Sequence, residues 1–285
     1  MSHMKEKGMK LIFMIAACTS VLAVFLICFF LFANGLPAIG EIGPFKFLFG
    51  KIWRPSNGIY GIFPMIVASI YVTGGAILFG VPIALLTSVF MARYCPKKIY
   101  GPLKSGIELM AGVPSIVYGF FGLILLVPLI REVFGGTGTS MLAASLLLGM
   151  MILPTIIGVT ESAIRSVPES YYEGSLALGA TKERSIFFVI LPAAKSGLLA
   201  GVVLGIGRAI GETMAVIMVA GNQPRMPEGL LKGVRTMTAN IVTEMGYASG
   251  LHRESLIATA VVLFVFILII NLSLSLLNRR AEHAD

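Results

Sequence analysis

Six stretches of this chain stay apolar for longer than a soluble helix requires: Leu11 to Phe32, Gly61 to Ala92, Ile107 to Ile130, Met141 to Ser162, Ser196 to Ala220 and Leu256 to Leu277. Crossing about 30 Å of hydrocarbon at 1.5 Å per residue takes roughly 20 apolar residues in helical form. The pattern predicts an all-α, polytopic integral membrane protein with six transmembrane helices. The even count puts both termini on one side of the bilayer, and the short connections leave a single transmembrane domain over residues 1–285.

Two spans are interrupted in the sequence. The second carries Gly74, Gly75, Gly80 and Pro82, residues that bend a helix or admit a close neighbour, so it reads as one tilted span or as two shorter pieces. The third contains Ala111-Gly112-Val113-Pro114-Ser115. Pro114 removes a backbone donor and disfavours helical geometry at Val113, which predicts a break there. Irregular backbone survives in a membrane only where protein or a water-filled path covers it. Between the first two spans, Asn34 to Tyr60, with Trp53 and several glycines and prolines, reads as an interfacial loop holding a short surface helix.

Composition agrees with the spans: 56% of residues are hydrophobic and only 13% charged, outside the range of an ordinary soluble domain. Cys18, Cys28 and Cys95 are odd in number and two lie in an apolar run, so no disulfide framework is expected. Lys5, Lys7 and Lys10 precede the first apolar run as they would in a secretion signal, but the run is too long for one and lacks a small-x-small exit. It is read as a retained span.

Basic residues set the orientation. Lys5, Lys7, Lys10, Arg93, Lys97, Lys98, Lys104, Arg165, Lys182, Arg184, Lys195, Arg279 and Arg280 fall on one side, predicted to be cytoplasmic together with both termini. Lys46, Lys51, Arg54, Arg131, Arg225, Lys232, Arg235 and Arg253 fall on the other. These outer charges read first as interfacial anchors, and alternatively as a mildly positive vestibule that draws anions.

The loop at 166–192 has its own signals. Ser166-Val167-Pro168-Glu169 has the spacing of a capping box with proline in the first turn. A helix is predicted from there through Tyr171, Tyr172 and Leu176 to about Leu178, closed by Gly179 in left-handed geometry. Thr181 then caps a second short helix with Lys182, Glu183 and Arg184, and Pro192 opens the next span. On these signals alone the segment is an ordinary surface loop, or a stiff helix-turn-helix fit to receive a soluble partner.

The fifth span holds Gly205-Ile206-Gly207-Arg208-Ala209-Ile210-Gly211-Glu212-Thr213. On a helix Arg208 and Glu212 share one face. An ionised group near the bilayer centre costs roughly 2.5–3.5 kcal/mol on insertion scales, so such groups are paired and turned inward. The two are either a neutralised pair that locks helices together, or a cation whose planar fork of donors suits an oxyanion. Ser115 and Tyr118, beside the predicted break, are weaker candidates for the same path and have a plain reading as helix contacts. Glu161 and Arg165 read as a screened structural pair, and Glu108 as solvated. The methionines are scattered, without a copper-type cluster.

Residues Glu173-Gly174-Ser175, three residues, Gly179, nine residues, Val189-x-Leu191-Pro192 resemble the cytoplasmic coupling loop of binding-protein-dependent ABC importer permeases, whose pattern is Glu-Ala-Ala, three residues, Gly, nine residues, Ile-x-Leu-Pro. Small residues replace the alanines and valine replaces isoleucine. The run Gly-Arg-Ala-x-Gly-Glu is similar to the fifth-span signature of oxyanion importers. With Gly211 to Val216 and Ala111 to Gly119, the chain looks most like the C-type permease of the phosphate-specific family, a likeness that covers nearly its whole length.

That resemblance implies a type I ABC importer permease fold in a bacterial or archaeal cytoplasmic membrane, importing inorganic phosphate by alternating access. It implies an A-type permease as heterodimer partner, two copies of a nucleotide-binding ATPase subunit and an external phosphate-binding protein, with no nucleic acid. Arg208, Glu212, Thr213, Ser115 and Tyr118 are then the candidate substrate path, and Glu173, Leu176, Gly179, Ala180, Leu191 and Pro192 the ATPase coupling surface. Phosphate near neutrality still carries a proton and sulfate does not, so Glu212 is expected to accept a hydrogen bond from phosphate while repelling a fully deprotonated dianion. ATP and Mg belong to the partner ATPase, since no Gly-rich loop followed by Lys and Ser/Thr is present; no cofactor, metal or catalytic residue is expected in this chain. The alternatives are a sulfate, molybdate or tungstate importer of the same architecture and a stand-alone anion channel. A membrane enzyme would need clustered His, Asp or Cys at membrane depth, and the chain has three histidines in all.

Overall fold

The computed structural model describes the backbone of residues 2–282 and the side chains of residues 6–273. Lys5, Arg279 and Arg280, which entered the orientation expectation, have side chains outside the described residues. The first apolar run winds into α1, Ser2–Ile42. It absorbs residues 34–42, expected in the interfacial loop, because Ala38 is fully buried and Gly35 sits close against the backbone of Ala258 in the last helix. The short surface helix is α2, Pro44–Phe49. A two-stranded hairpin follows, β1 Trp53–Arg54 and β2 Ile59–Tyr60, with Trp53 opposite Tyr60.

The second span is continuous: α3, Phe63–Val89, runs past Pro82 and ends in a π-helical turn, Phe90–Tyr94. The third starts later than the apolar pattern suggested. Residues 107–112 belong to α4, Lys97–Gly112, which has no buried residue and carries Lys97, Lys98, Lys104 and Glu108. Val113 and Pro114 are extended, as Pro114 dictates. The span proper is α5, Ser115–Phe121, a π-helical turn Gly122–Leu126, and α6, Val127–Phe134.

Helix α7, Met141–Ser166, is the axis of the molecule. Ser140 caps it by accepting the Ala143 amide, and α7 packs along α3 on one side and the fifth span on the other. Small residues let the backbones close: a Cβ at Gly80 would lie 2.8 Å from the Gly149 carbonyl oxygen, and one at Gly201 2.7 Å from the Thr160 hydroxyl. In a bilayer, where lipid tails remove the hydrophobic drive between helices, such approach supplies the packing energy.

Residues after α7 form α8, Glu169–Ala177, then α9, Lys182–Ser185, a π-helical turn Ile186–Ile190, and α10, Leu191–Ala193. The chain then bends by 70° into α11, Lys195–Gly211. Pro192 lies before the bend, so Lys195 and not Pro192 opens the span. The fifth span is not one helix to Ala220 either: it stops at Gly211, and α12, Met214–Val219, starts after a break. Helix α13, Met237–Met245, and the last span α14, Gly250–Glu282, complete the fold. Among the described residues five helical units are long and apolar enough to cross a membrane, and the bent pair makes six.

At the hairpin end, Glu244 is buried and accepts from Trp53 Nε1 at 2.9 Å and Arg235 Nη1 at 2.5 Å, with His252 Nε2 at 2.8 Å. Trp53 is thus 4% exposed, a buried donor and not the interfacial anchor its sequence context suggested. Lys51 and Arg54 at the hairpin and Arg225 from the stretch between α12 and α13 line a groove of about 390 Å³.

Candidate functional site

Arg208 lies in the last turn of α11. Its Nη1 donates to Thr155 Oγ1 of α7 at 3.0 Å, and among the described residues that is its one hydrogen bond. Three or more donors of the fork therefore stay free for a ligand's oxygens. The expected pairing with Glu212 does not form. Glu212 has left the helix, with φ −68° and ψ 133°, so the two side chains do not share a helical face. The Glu212 carboxylate turns onward instead: Oε1 accepts the amides of Thr213 at 3.0 Å and Ala215 at 3.3 Å, placing negative charge at the start of α12.

Thr213 precedes α12 and donates its hydroxyl to the Gly211 carbonyl at 3.1 Å. From the hairpin end, Thr238 of α13 donates to the Glu212 carbonyl at 3.1 Å. The broken backbone is thus covered by protein hydrogen bonds, as a break at membrane depth must be. Ser115 opens α5 directly after the Pro114 break and is half-buried. Tyr118 follows one turn later, and its hydroxyl donates to the Met110 carbonyl at 2.8 Å and so stitches the break between α4 and α5.

In the 166–192 segment the capping box does not form. Helix α7 continues through Ser166, whose hydroxyl donates back to Ala163 at 2.8 Å, and α8 begins only after extended Val167 and Pro168. The Gly179 and Thr181 signals hold, whereas Pro192 lies before the bend and does not open the span. Gly179 takes φ +83°, where only glycine is unstrained, and Thr181 accepts the Arg184 amide at 3.3 Å to cap α9. Glu173 and Gly179 are exposed and Leu176 is 40% exposed; Ala180 and Leu191 are half-buried. Tyr171, Phe188 and Leu178 are also exposed, Leu178 at 91%. These are exposed apolar side chains on a short helical hairpin, the kind of feature that often accompanies a contact surface. Gly174 has open space where a Cβ would stand, so the alanine of the family pattern fits the same backbone.

Sequence reasoning missed Thr155 and a buried cluster on Glu161. Glu161 is 1% exposed and accepts from Tyr100 Oη at 2.6 Å, Lys104 Nζ at 2.7 Å and Arg165 Nε at 2.7 Å. The Glu161–Arg165 pair was legible at its helical spacing. Tyr100 and Lys104 come from α4, and no local pattern announces them. Hydrogen bonding to Glu161 raises the pKa of both Tyr100 and Lys104 above their ordinary values.

A bundle organised around one central helix, with a lone arginine at a broken span and an exposed stiff hairpin at one end, has the architecture of a membrane permease. The chain belongs to the family of binding-protein-dependent transport system inner membrane components, whose model matches residues 80–283. It is 39% identical over 272 residues to the probable ABC transporter permease protein YqgH of Bacillus subtilis, covering 90% of this chain and 87% of the relative. It is 33% identical over 261 residues to the phosphate transport system permease protein PstC of Mesorhizobium japonicum, covering 84% of this chain and 80% of the relative. Among solved structures, an inward-facing conformation of the MetNI methionine ABC transporter superposes with a TM-score of 0.63 at 19% identity, covering 81% of this chain and 99% of that one. The fold is that of the type I ABC importer permeases.

Proposed function

We propose that this chain is one permease subunit of an ATP-driven importer that carries inorganic phosphate across the cytoplasmic membrane of a bacterium or archaeon. The observation that carries the reading is Arg208, a guanidinium oriented by Thr155 at the break between α11 and α12, with most of its donors unspent. Phosphate as cargo is supported by the similarity to proteins named as phosphate transport permeases. A receptor outside the cell is supported by the family's dependence on a binding protein. The exposed hairpin Glu169–Ser185 supports an attached motor, with ATP and Mg bound there. The complete assembly pairs this chain with an A-type permease over two ATPase subunits, the hairpin and both termini on the cytoplasmic side.

In this mechanism closure of the motor displaces α8 and α9, the displacement passes through the 70° bend into α11, and the break at Glu212 lets α11 and α12 change angle. Arg208 faces first one side and then the other, and an oxyanion held there by charge-assisted hydrogen bonds moves with the switch. No covalent bond in this chain is made or broken.

The test is uptake of radiolabelled phosphate into vesicles holding the reconstituted complex and receptor. Uptake that needs ATP and resists competing sulfate and molybdate is expected. Preferential uptake of sulfate, molybdate or tungstate reassigns the cargo, and phosphate flux without the ATPase makes the chain a channel and overturns the reading.

A further inference from the structure

The second span ends in the π-helical turn Phe90–Tyr94, a rare geometry concentrated at functional places. This turn is held by the end of α7 and by the α8–α9 segment that follows it. Arg93 Nη1 donates to Glu169 Oε2 of α8 at 2.8 Å, and Nη2 donates to the Ile164 carbonyl of α7 at 3.3 Å. The Arg93 guanidinium stands 5.8 Å from the Tyr172 ring of α8, and Lys182 of α9 lies 4.7 Å from the Tyr94 ring. Arg165 donates to the Met91 carbonyl at 2.8 Å.

The two ends of the Arg93 link differ. Its side chain is 12% exposed, whereas that of Glu169 is 59% exposed. The arginine is therefore fixed to the span, and its carboxylate partner rides on the exposed helix. Among the described residues this is the side-chain hydrogen bond by which α8 reaches a span to which the chain does not tether it. Arg93 Nε is buried without a hydrogen-bond partner, so the Glu169 and Ile164 contacts are the ones that seat the fork. Above the grip, α3 is an unbroken rod packed against α7 through Gly80 and Gly149, so motion at Tyr94 is carried along its length.

We propose that Arg93 is a positioning residue that transmits displacement of α8 to the second span, giving the motor a second mechanical route beside the bend into α11. The inference rests on the reading of this chain as a motor-driven permease. A purely structural Arg93 predicts that ATP hydrolysis and transport fall together when it is changed. A transmitting Arg93 predicts that they separate.

The experiment uses the full complex with its receptor in vesicles, measuring inorganic phosphate uptake and ATP hydrolysis in the same sample. Arg93→Gln is expected to lower phosphate moved per ATP by at least about fivefold, the low end of coupling between distant sites, while receptor-stimulated hydrolysis persists. Glu169→Lys serves where Arg93→Gln fails to assemble, because Glu169 is exposed; it is expected to lower the same ratio, and Arg93→Lys to restore part of it. A wild-type ratio in Glu169→Lys, or hydrolysis and uptake falling in step, overturns the inference alone. Wild-type vesicles that take up no phosphate with ATP overturn the functional reading and this inference with it.

Discussion

The guanidinium of Arg208 and the hydroxyl of Thr155 meet at 3.0 Å across the α11–α7 interface. A threonine is a neutral partner, so it orients the arginine without cancelling its charge, which a carboxylate in that place would do. In the proposed mechanism this keeps a cation available to a passing anion, at the cost of holding that charge in the membrane. Truncating Arg208 to Gln is expected to leave assembly intact and to cut phosphate uptake about 10- to 100-fold, the weight of a charge-assisted hydrogen bond. Thr155→Val should cost less, about fivefold, since the charge stays and only its aim is loosened. Radiolabelled uptake in vesicles measures both.

Glu212 separates a structural from a selective role. Replacing it with Ala removes the acceptor of the Thr213 and Ala215 amides and is expected to cost about 0.5–2 kcal/mol, as loss of a helix cap does. Glu212→Gln retains an acceptor oxygen, so thermal stability in detergent should stay near wild type. If the carboxylate also repels fully deprotonated anions, sulfate becomes a competitor for uptake in that variant; unchanged sulfate exclusion leaves Glu212 with the backbone role alone.

Glu161 anchors α4 to α7 in a buried site. Glu161→Ala removes the shared acceptor of Tyr100, Lys104 and Arg165, and because the two cations are partly exposed and can turn to water it is expected to destabilise by about 1.5–3 kcal/mol, the range for a hydrogen bond to a charged group. Tyr100→Phe removes one hydrogen bond and should cost about 1 kcal/mol. Melting of the purified complex, followed by loss of monodisperse protein, reads both.

The pH dependence of that cluster has a definite sign. The pKa values of Tyr100 and Lys104 are raised from 10.0 and 10.5 by Glu161. Their contribution is therefore whole below about pH 10 and is lost as pH rises through the higher folded values. Between pH 6 and 9 wild type and Tyr100→Phe should keep a constant difference in melting temperature, one that shrinks only in strong alkali.

Gly179 tests the hairpin. Its φ of +83° makes a β-branched residue cost about 1–2 kcal/mol, and nothing crowds the position where the new Cβ would stand. Gly179→Val is thus expected to alter the α8–α9 angle more than the stability of the bundle. Transport should fall while melting shifts little.

Much of the architecture was legible because its signals are local. Pro114 dictated the break after α4, and Gly179 and Thr181 closed one helix and capped the next. What escaped was set by partners distant in the chain. Trp53 looks like a membrane-surface residue until Glu244, 191 positions away, supplies its acceptor, and Glu161 looks like half of a surface pair until Tyr100 and Lys104 arrive from 61 and 57 positions back. The break at Glu212 is the instructive failure. Helical spacing placed Glu212 beside Arg208, but its carboxylate binds the amides of Thr213 and Ala215 and so competes with the helix it was expected to continue.

Trp53, Arg235 and His252 come from separate elements and converge on the single carboxylate of Glu244. The face they close is a knot, not a row of independent loops. A nick by a protease anywhere between residues 54 and 235 would leave the first fragment joined to the last through Trp53 on Glu244 and through α1 packed along α14, so fragments of this chain should run together through a sizing column until a denaturant parts those helices.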